Sequence, residues 1–101
     1  VNVALDSAGA NQQIFSFSKT AFRTFKFTAQ LSHSSSNNFH TEEVLLIHNG
    51  TTVAMTTFGQ ILLDSNLGTF DADINSDNVR LKFSPTKTST SIKLRGVRTP
   101  A

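Results

Sequence analysis

The residues best placed to do chemistry are two carboxylates spaced two apart, Asp71 and Asp73. Alternate side chains of an extended strand share a face, so both carboxylates point the same way and suggest a metal or paired-carboxylate site. The Asp-x-Asp-x-Asp-Gly pattern of a calcium loop is absent. Two cations, Arg80 and Lys82, follow on the next predicted strand. We therefore interpret the aspartates as partners of these cations and predict no metal site.

The three histidines, His33, His40 and His48, have no ligand spacing such as His-Glu-x-x-His. We expect them to lie on the solvated surface. A zinc site shared between two loops is an alternative. Another is a trimer axis that brings one histidine from each chain together.

Other catalytic signatures are missing from the sequence. Ser, His and Asp residues occur, but no nucleophile elbow and no Gly-rich phosphate loop accompany them. The chain has no cysteine, which excludes disulfides and thiolate metal sites. We predict a protein that is not an enzyme, with no catalytic residues and no cofactor; a hydrolase is the alternative.

The small net charge of +2 hides a strong segregation of acids and bases. The acids of residues 42–77 stand without Lys or Arg, and the bases of residues 78–101 stand without acids. We expect these segments to pair as neighbouring strands; the alternative is an acidic face that meets a basic face on another subunit. Nucleic-acid binding is not predicted, because no interleaved aromatic residues accompany the basic tail. The acids are Glu42, Glu43, Asp64, Asp71, Asp73 and Asp77, and the bases are Arg80, Lys82, Lys87, Lys93, Arg95 and Arg98.

Length and composition predict a single domain spanning residues 1–101. Residues 1–20 are the least regular and suggest an N-terminal arm or a linker from a longer protein, with short strands at residues 1–5 and 14–18 and a loop at 6–13. The chain does not begin with Met, so we expect processing or a longer parent protein. It has no visible signal peptide. No apolar run is long enough to predict membrane insertion. Nine Phe with no Tyr or Trp indicate core rings rather than a binding surface.

Period-two alternation predicts a half-buried strand at residues 24–31, with Phe25, Phe27, Ala29 and Leu31 on the inner face. Residues 44–47 are apolar on both faces, which is typical of a central or doubly covered strand. Further strands are predicted at residues 58–63, 69–74, 79–84 and 91–97, the last with Ile92 and Leu94 inward. The fold class is therefore all-β: an antiparallel β-sandwich, jelly-roll-like or Ig-like, of about seven or eight short strands without significant helix.

The dipeptide Asn49-Gly50 predicts a two-residue type I′ hairpin, because both positions of that turn need positive φ. This turn would place Leu46 opposite Val53 and Val44 opposite Met55.

A second hairpin is predicted around residues 75–78. Its register places Phe70, Ala72 and Ile74 opposite Phe83, Leu81 and Val79 on the inner side, and Asp73 opposite Arg80 and Asp71 opposite Lys82 on the outer side.

Polar loops between strands are the predicted contact surface, because binding residues concentrate on loops. The candidate contact residues are Ser32, His33, Ser34, Ser35, Ser36, Asn37, Asn38, Asp64, Ser65, Asn66, Asn75, Ser76, Asp77 and Asn78.

Several blocks in fixed order resemble a β-domain of virion structural and tail-fibre-like proteins of marine tailed bacteriophages, including cyanophages. They are EVLLIHNGTT (43–52), FG (58–59), SNLGTFDADI (65–74), NVRL (78–81) and PT (85–86). The similarity runs from about Phe22 to Thr99, and LGTFDADI is its most specific part. Family members often carry Tyr where this chain has Phe22, Phe27 and Phe58, and more glycine at residues 75–78.

This resemblance implies a non-catalytic virion component that acts in assembly or host attachment, on a tail fibre or other appendage. Implied partners are other virion proteins, further copies of the chain in a homotrimer, and a host surface glycan or protein. A capsid decoration (cement) protein on the phage head is the alternative. An alternative of another class is a secreted carbohydrate-binding module, for which Phe39 is the one aromatic residue near a loop.

Overall fold

The computed structural model describes residues 2–5 and 11–101, which form eight β-strands and one short 3₁₀ turn, Ser34–Ser36. No α-helix occurs in these two ranges. The strands are β1 Asn2–Leu5, β2 Gln12–Ser18, β3 Phe22–His33, β4 Asn38–His48, β5 Val53–Leu62, β6 Gly68–Asn75, β7 Asn78–Pro85 and β8 Thr90–Pro100.

The strands form two antiparallel sheets that pack face to face. One has five strands in the order β1-β8-β3-β4-β5, and the other has three in the order β2-β7-β6. The chain changes sheet after β1, β2, β5 and β7. The predicted all-β antiparallel sandwich is confirmed.

Phenylalanine rings fill much of the space between the sheets. Phe25 and Phe27 on β3 stack with ring centroids 4.8 Å apart, and from the other sheet Phe15 and Phe17 lie 5.4 and 4.7 Å from Phe25. The buried inner row of β3 is the predicted one, because alternate residues of a strand share a face. Rings without polar groups need no hydrogen-bond partner there, which explains the use of Phe.

The hairpin of β6 and β7 has the predicted register at every pair, from Phe70 opposite Phe83 to Ile74 opposite Val79. Its turn is shorter than expected, because Asn75 and Asn78 are themselves paired and leave two residues between them. The first of these, Ser76, has a positive φ of 56°.

The predicted register of the β4–β5 hairpin is wrong by two residues. Leu46 lies opposite Met55 rather than Val53, and Val44 lies opposite Thr57 rather than Met55. A shift of two residues preserves which side chains share a face, so the inner row of β4 is unaffected.

The physical reason is a four-residue loop, residues 49–52, in place of a two-residue turn. The Asn49 side-chain oxygen accepts hydrogen bonds from the backbone N–H groups of Thr51 and Thr52, at 3.0 and 2.8 Å. The Asn49 N–H donates to the Thr52 carbonyl at 3.0 Å. Gly50 has a positive φ of 95°, but Asn49 does not, so the type I′ geometry is absent.

Strand β5 is continuous from Val53 to Leu62, whereas the sequence suggested a break before residue 58. Its pairing with β4 shifts by one residue between Thr41 and Glu43, opposite Gly59. Gly59 has a φ of +66°, which is the left-handed conformation of a glycine bulge. The bulge lets the strand continue to Leu62 with Ile61 and Phe58 on the same side.

The N-terminal residues predicted as an arm or linker contribute to both sheets. β1 pairs with β8 from Asn2 opposite Lys93 to Leu5 opposite Thr90, and β2 pairs with β7. Most of the predicted 6–13 loop lies outside the described residues, and its last two residues begin β2.

Strand β4 is central in its sheet, as predicted, but only its inner face is covered. On the outer face Leu45 is 37% exposed and Ile47 is 50% exposed. The doubly covered arrangement suggested by residues 44–47 is therefore absent from a single chain.

Substitution of Gly68 by Ala should destabilise the fold strongly. Gly68 has a φ of +152°, and a Cβ atom there would overlap the Phe83 ring and the Ser84 carbonyl. We expect Gly68→Ala to lower the free energy of unfolding by about 3 kcal/mol or more. Chemical denaturation measures it.

The matched control is Gly50→Ala, where φ is also positive but no atom lies within 4 Å of the added Cβ. Gly50→Ala should lower the free energy of unfolding by about 1 kcal/mol, since it introduces only backbone strain. Equal losses for the two variants would contradict the steric explanation.

Candidate functional site

The predicted contact loops lie at opposite ends of the sandwich. At one end the Asn38 side chain donates to Ser65 Oγ and to the Ser65 carbonyl, at 3.1 and 3.2 Å, which joins the β3–β4 loop to the β5–β6 loop. At the other end the Lys19 N–H donates to the Asp77 carbonyl at 2.9 Å, and Lys19 Nζ donates to the Gly50 carbonyl. Because the molecule is 40 Å long, no single small ligand contacts all three loops.

The structure reassigns several of the proposed contact residues. Ser32 and His33 belong to the end of β3, and Asn38 is the fully buried first residue of β4. Asn38 therefore cannot act in an exposed loop. The contact candidates whose side chains are exposed are Ser35, Ser36, Asn37, Asp64, Ser65 and Asn66 at one end and Asn75, Ser76, Asp77 and Asn78 at the other.

Two of the three histidines are buried, which corrects the expectation that all three are solvated. His48 is 3% exposed. Its Nε2 donates to the Phe22 carbonyl at 2.7 Å, and its Nδ1 accepts the Gly50 N–H at 3.0 Å. A ring that donates at one nitrogen and accepts at the other is neutral. His48 therefore has a structural role, in which it ties the β4–β5 loop to the start of β3.

His40 forms a buried pair with Glu42. His40 Nε2 and Glu42 Oε1 are 2.6 Å apart, and the two residues are 2% and 4% exposed. His40 Nδ1 accepts the Leu67 N–H at 3.3 Å, so the ring proton lies on Nε2 and is donated to the carboxylate. The pair thus ties β4 to the chain entering β6.

The inner position of these side chains could have been predicted from the alternation alone. His40, Glu42, Val44 and Leu46 occupy alternate positions of one strand, and all four are buried. The polar residue types of His40 and Glu42 suggested that they face solvent, whereas the period-two pattern places them on the inner face.

A polar pocket of about 370 Å³ opens beside Glu42, between β5 and β6. The polar residues Thr57, Gln60, Asn66 and Thr69 line it, together with the apolar Met55 and Phe70. Such a lining can form hydrogen bonds with a small ligand rich in hydroxyl groups.

Asp73 is the centre of the charged cluster on the three-stranded sheet. Arg80 donates to both carboxylate oxygens, through Nε at 2.7 Å and Nη2 at 2.6 Å, and Lys82 Nζ donates at 3.0 Å. The hydrogen bonds from Arg80, ahead of those from Lys82, lower the pKa of Asp73 to about 2. The predicted pairing of acids with cations on neighbouring strands is therefore confirmed here.

Asp71 differs from the prediction in its contacts although its register is right. Lys82 lies opposite Asp71 in the ladder but bonds Asp73 instead. Asp71 accepts the Ala72 N–H at 2.8 Å and the Asn11 amide at 3.4 Å.

The remaining histidine, His33, contacts Ser36 through Nδ1 at 2.6 Å in the turn after β3. The Ser36 hydroxyl also reaches the His33 carbonyl at 3.3 Å, which is typical of a local turn contact. Within residues 2–5 and 11–101 no group of three or more His, Asp or Glu side chains is arranged to hold a metal ion. In the same part of the chain no helix is long and apolar enough to cross a membrane.

Two solved structures that share this fold are phage tailspike proteins. The tailspike protein of the Acinetobacter phage vB_ApiP_P1 matches all of this chain with a TM-score of 0.56 and 15% identity. The tailspike protein of Acinetobacter baumannii phage AM24 also matches all of it, with a TM-score of 0.53 and 11% identity. This chain shares its fold with part of each tailspike. No family model matches the sequence, and no curated protein matches it either.

The matched part is small in both neighbours, 22% of one tailspike chain and 28% of the other. The chain therefore spans about a quarter of the length of these proteins. At these identities the similarity concerns the fold alone, and the functions of the whole tailspikes do not follow from it.

Asp73→Asn should lower stability at neutral pH and not at strongly acidic pH. The folded-state pKa lies below the ordinary value of 3.8. The ionised carboxylate therefore contributes fully above about pH 4 and loses its contribution as pH falls through 2. Because the side chain is 36% exposed, we expect a loss of only about 1 kcal/mol at pH 7.

Urea denaturation at pH 7 and pH 2 measures this difference. Asp71→Asn is the matched control on the same strand, and it should change stability less at either pH. A loss for Asp73→Asn that is the same at both pH values would show that charge is not the cause.

Proposed function

We propose that this chain is a structural, non-catalytic β-domain of a phage virion, located on a tail fibre, tailspike or other tail appendage. The observation that carries the proposal is the match of the entire chain to parts of two phage tailspikes, with TM-scores of 0.56 and 0.53. The sequence resemblance to marine tailed-phage virion proteins points the same way and is independent of the coordinates. The marine or cyanobacterial origin is part of the proposal.

The proposed role is assembly or host attachment as a homotrimer. Long antiparallel strands and a Phe-rich core give a rigid unit. Such rigidity suits a structural component of a particle, which has no catalytic turnover to perform. The exposed polar loops at the two ends are the proposed contacts with neighbouring virion proteins or with a host surface glycan or protein.

A head position as a decoration protein is the competing location. It draws no support from the two tailspike matches, which are proteins of the phage tail. The tail is therefore the proposed position.

The test is detection and labelling of the chain in purified virions. We expect its peptides in the virion by mass spectrometry and gold-labelled antibody on the tail by electron microscopy. An antibody against the major capsid protein serves as the control for head labelling. Label on the head would replace the tail proposal by the decoration alternative, and absence from purified virions would refute both.

Binding of a glycan is a second candidate, favoured by the pocket beside Glu42. Its carboxylate, amide and hydroxyl lining matches the hydroxyl groups of a sugar, and its volume of about 370 Å³ suits one or two sugar units. The proposed ligand is not anionic, because the charged residue of the pocket lining is Glu42.

Gln60→Ala should weaken glycan binding by about tenfold, because it removes a pocket amide worth about 1.4 kcal/mol at most. Titration of host-surface oligosaccharides by calorimetry measures the affinity. Gln13→Ala, an exposed glutamine on β2, is the matched control and should bind as the native chain does. Equal affinity for the two variants would remove the pocket from consideration.

A further inference from the structure

The outer side of the β4–β5 hairpin carries most of the exposed apolar surface. Among the described residues, eight large apolar side chains are exposed, and all but Val97 lie on β4, on β5 or directly after β5. The pairing of β4 with β5 places six of them on one side of the sheet. We call these six the apolar face: Phe39, Leu45, Ile47, Phe58, Ile61 and Leu63.

The apolar face is large for a domain of this size. If a fully exposed side chain presents about 200 Å², the six together leave on the order of 600 Å² in water. That is at the upper limit of about 600 Å² for the largest patch of a typical monomer. It approaches the roughly 800 Å² that each partner contributes to a stable protein interface.

The charge within the apolar face is balanced. No Asp, Glu, Lys or Arg occurs from Val44 to Leu63. Glu43 lies within the face, opposite Phe58, and forms an ion pair with Lys26 of β3 at 3.6 Å. Lys26 Nζ lies 5.8 Å from the centre of the Phe58 ring. Because the face holds one anion and one cation, two copies of it can complement each other.

Shape and backbone add to this complementarity. A hollow of about 350 Å³ lies on the face between β4 and β5, and almost all of its lining is apolar. Ile61 and Leu63 project beyond it, with 62% and 73% of their surface exposed. β5 is also the edge of its sheet, and it has no charge or proline, the residues that commonly protect exposed edges.

We propose that the apolar face is the contact between copies of this chain, with the projecting side chains of one copy packed on the face of the next. The occupant is a second copy because the face combines a hollow, projections and both charges in one surface. A contact between identical faces pairs two copies, so this proposal depends neither on the tail location nor on the homotrimer of the proposed function.

Sedimentation over a hundredfold range of protein concentration tests the contact. We expect the native chain to self-associate. Ile61→Glu and Leu63→Glu should each weaken self-association by about tenfold or more, because a charge would be buried opposite apolar side chains. Ser16→Glu adds the same charge to the outer side of β2 in the other sheet. This control should change the self-association constant by less than about twofold.

A chain that is monomeric over the whole range would overturn the proposal, as would equal effects of the three variants. Neither result would alter the outcome of virion labelling, so the two proposals fail separately. Circular dichroism of each variant shows whether it remains folded.

Cross-linking locates the surface directly, since the native chain has no cysteine. Single variants Ile47→Cys and Ile61→Cys should yield a covalent dimer with a short bis-maleimide, and Ser16→Cys should not. Dimers from Ser16→Cys, or none from both Ile47→Cys and Ile61→Cys, would place the contact elsewhere and overturn the assignment.

Discussion

The unequal width of the two sheets is the constraint on which most features of this domain depend. Neighbouring strands lie about 4.8 Å apart, so a three-stranded sheet is about 10 Å narrower than a five-stranded one. The inner rows of β8, β3 and β4 are buried between the sheets, whereas β5 lies at the edge and most of its residues are exposed. The polar pocket and the apolar face both border this overhanging strand.

The polar residues inside β4 follow from the same geometry. Where the sheets meet closely, the inner row is apolar, as at Val44 and Leu46. Toward the β5–β6 connection the chain must cross between sheets, and backbone groups such as the Leu67 N–H need a buried acceptor. His40 supplies that acceptor and Glu42 holds its ring. A polar pair is therefore buried where the crossover needs it.

The predictability of each element depended on how local its determinants were. The β6–β7 register was predicted because inner apolar pairs and outer charge pairs agreed, as at Ala72 with Leu81 and Asp73 with Arg80. The β4–β5 register failed because one side chain, Asn49, stabilises a longer loop than its dipeptide favours. The sheet assignment, and with it the separation of the contact loops to two ends, depends on crossovers that leave no periodic pattern. The apolar run predicted the strand at residues 44–47, but it did not predict that the outer face of this strand is uncovered.

A contact through the side of the sandwich has a consequence for how the domain meets other molecules. The apolar face lies along β4 and β5, whereas the exposed polar loops lie at the two ends of the strands. Association through the face therefore leaves both sets of loops accessible. In the proposed appendage, one set of loops is then available to a neighbouring virion protein and the other to a target, since neither set is used by the contact between copies. Self-association and attachment would then depend on different residues, and each could change in evolution without loss of the other.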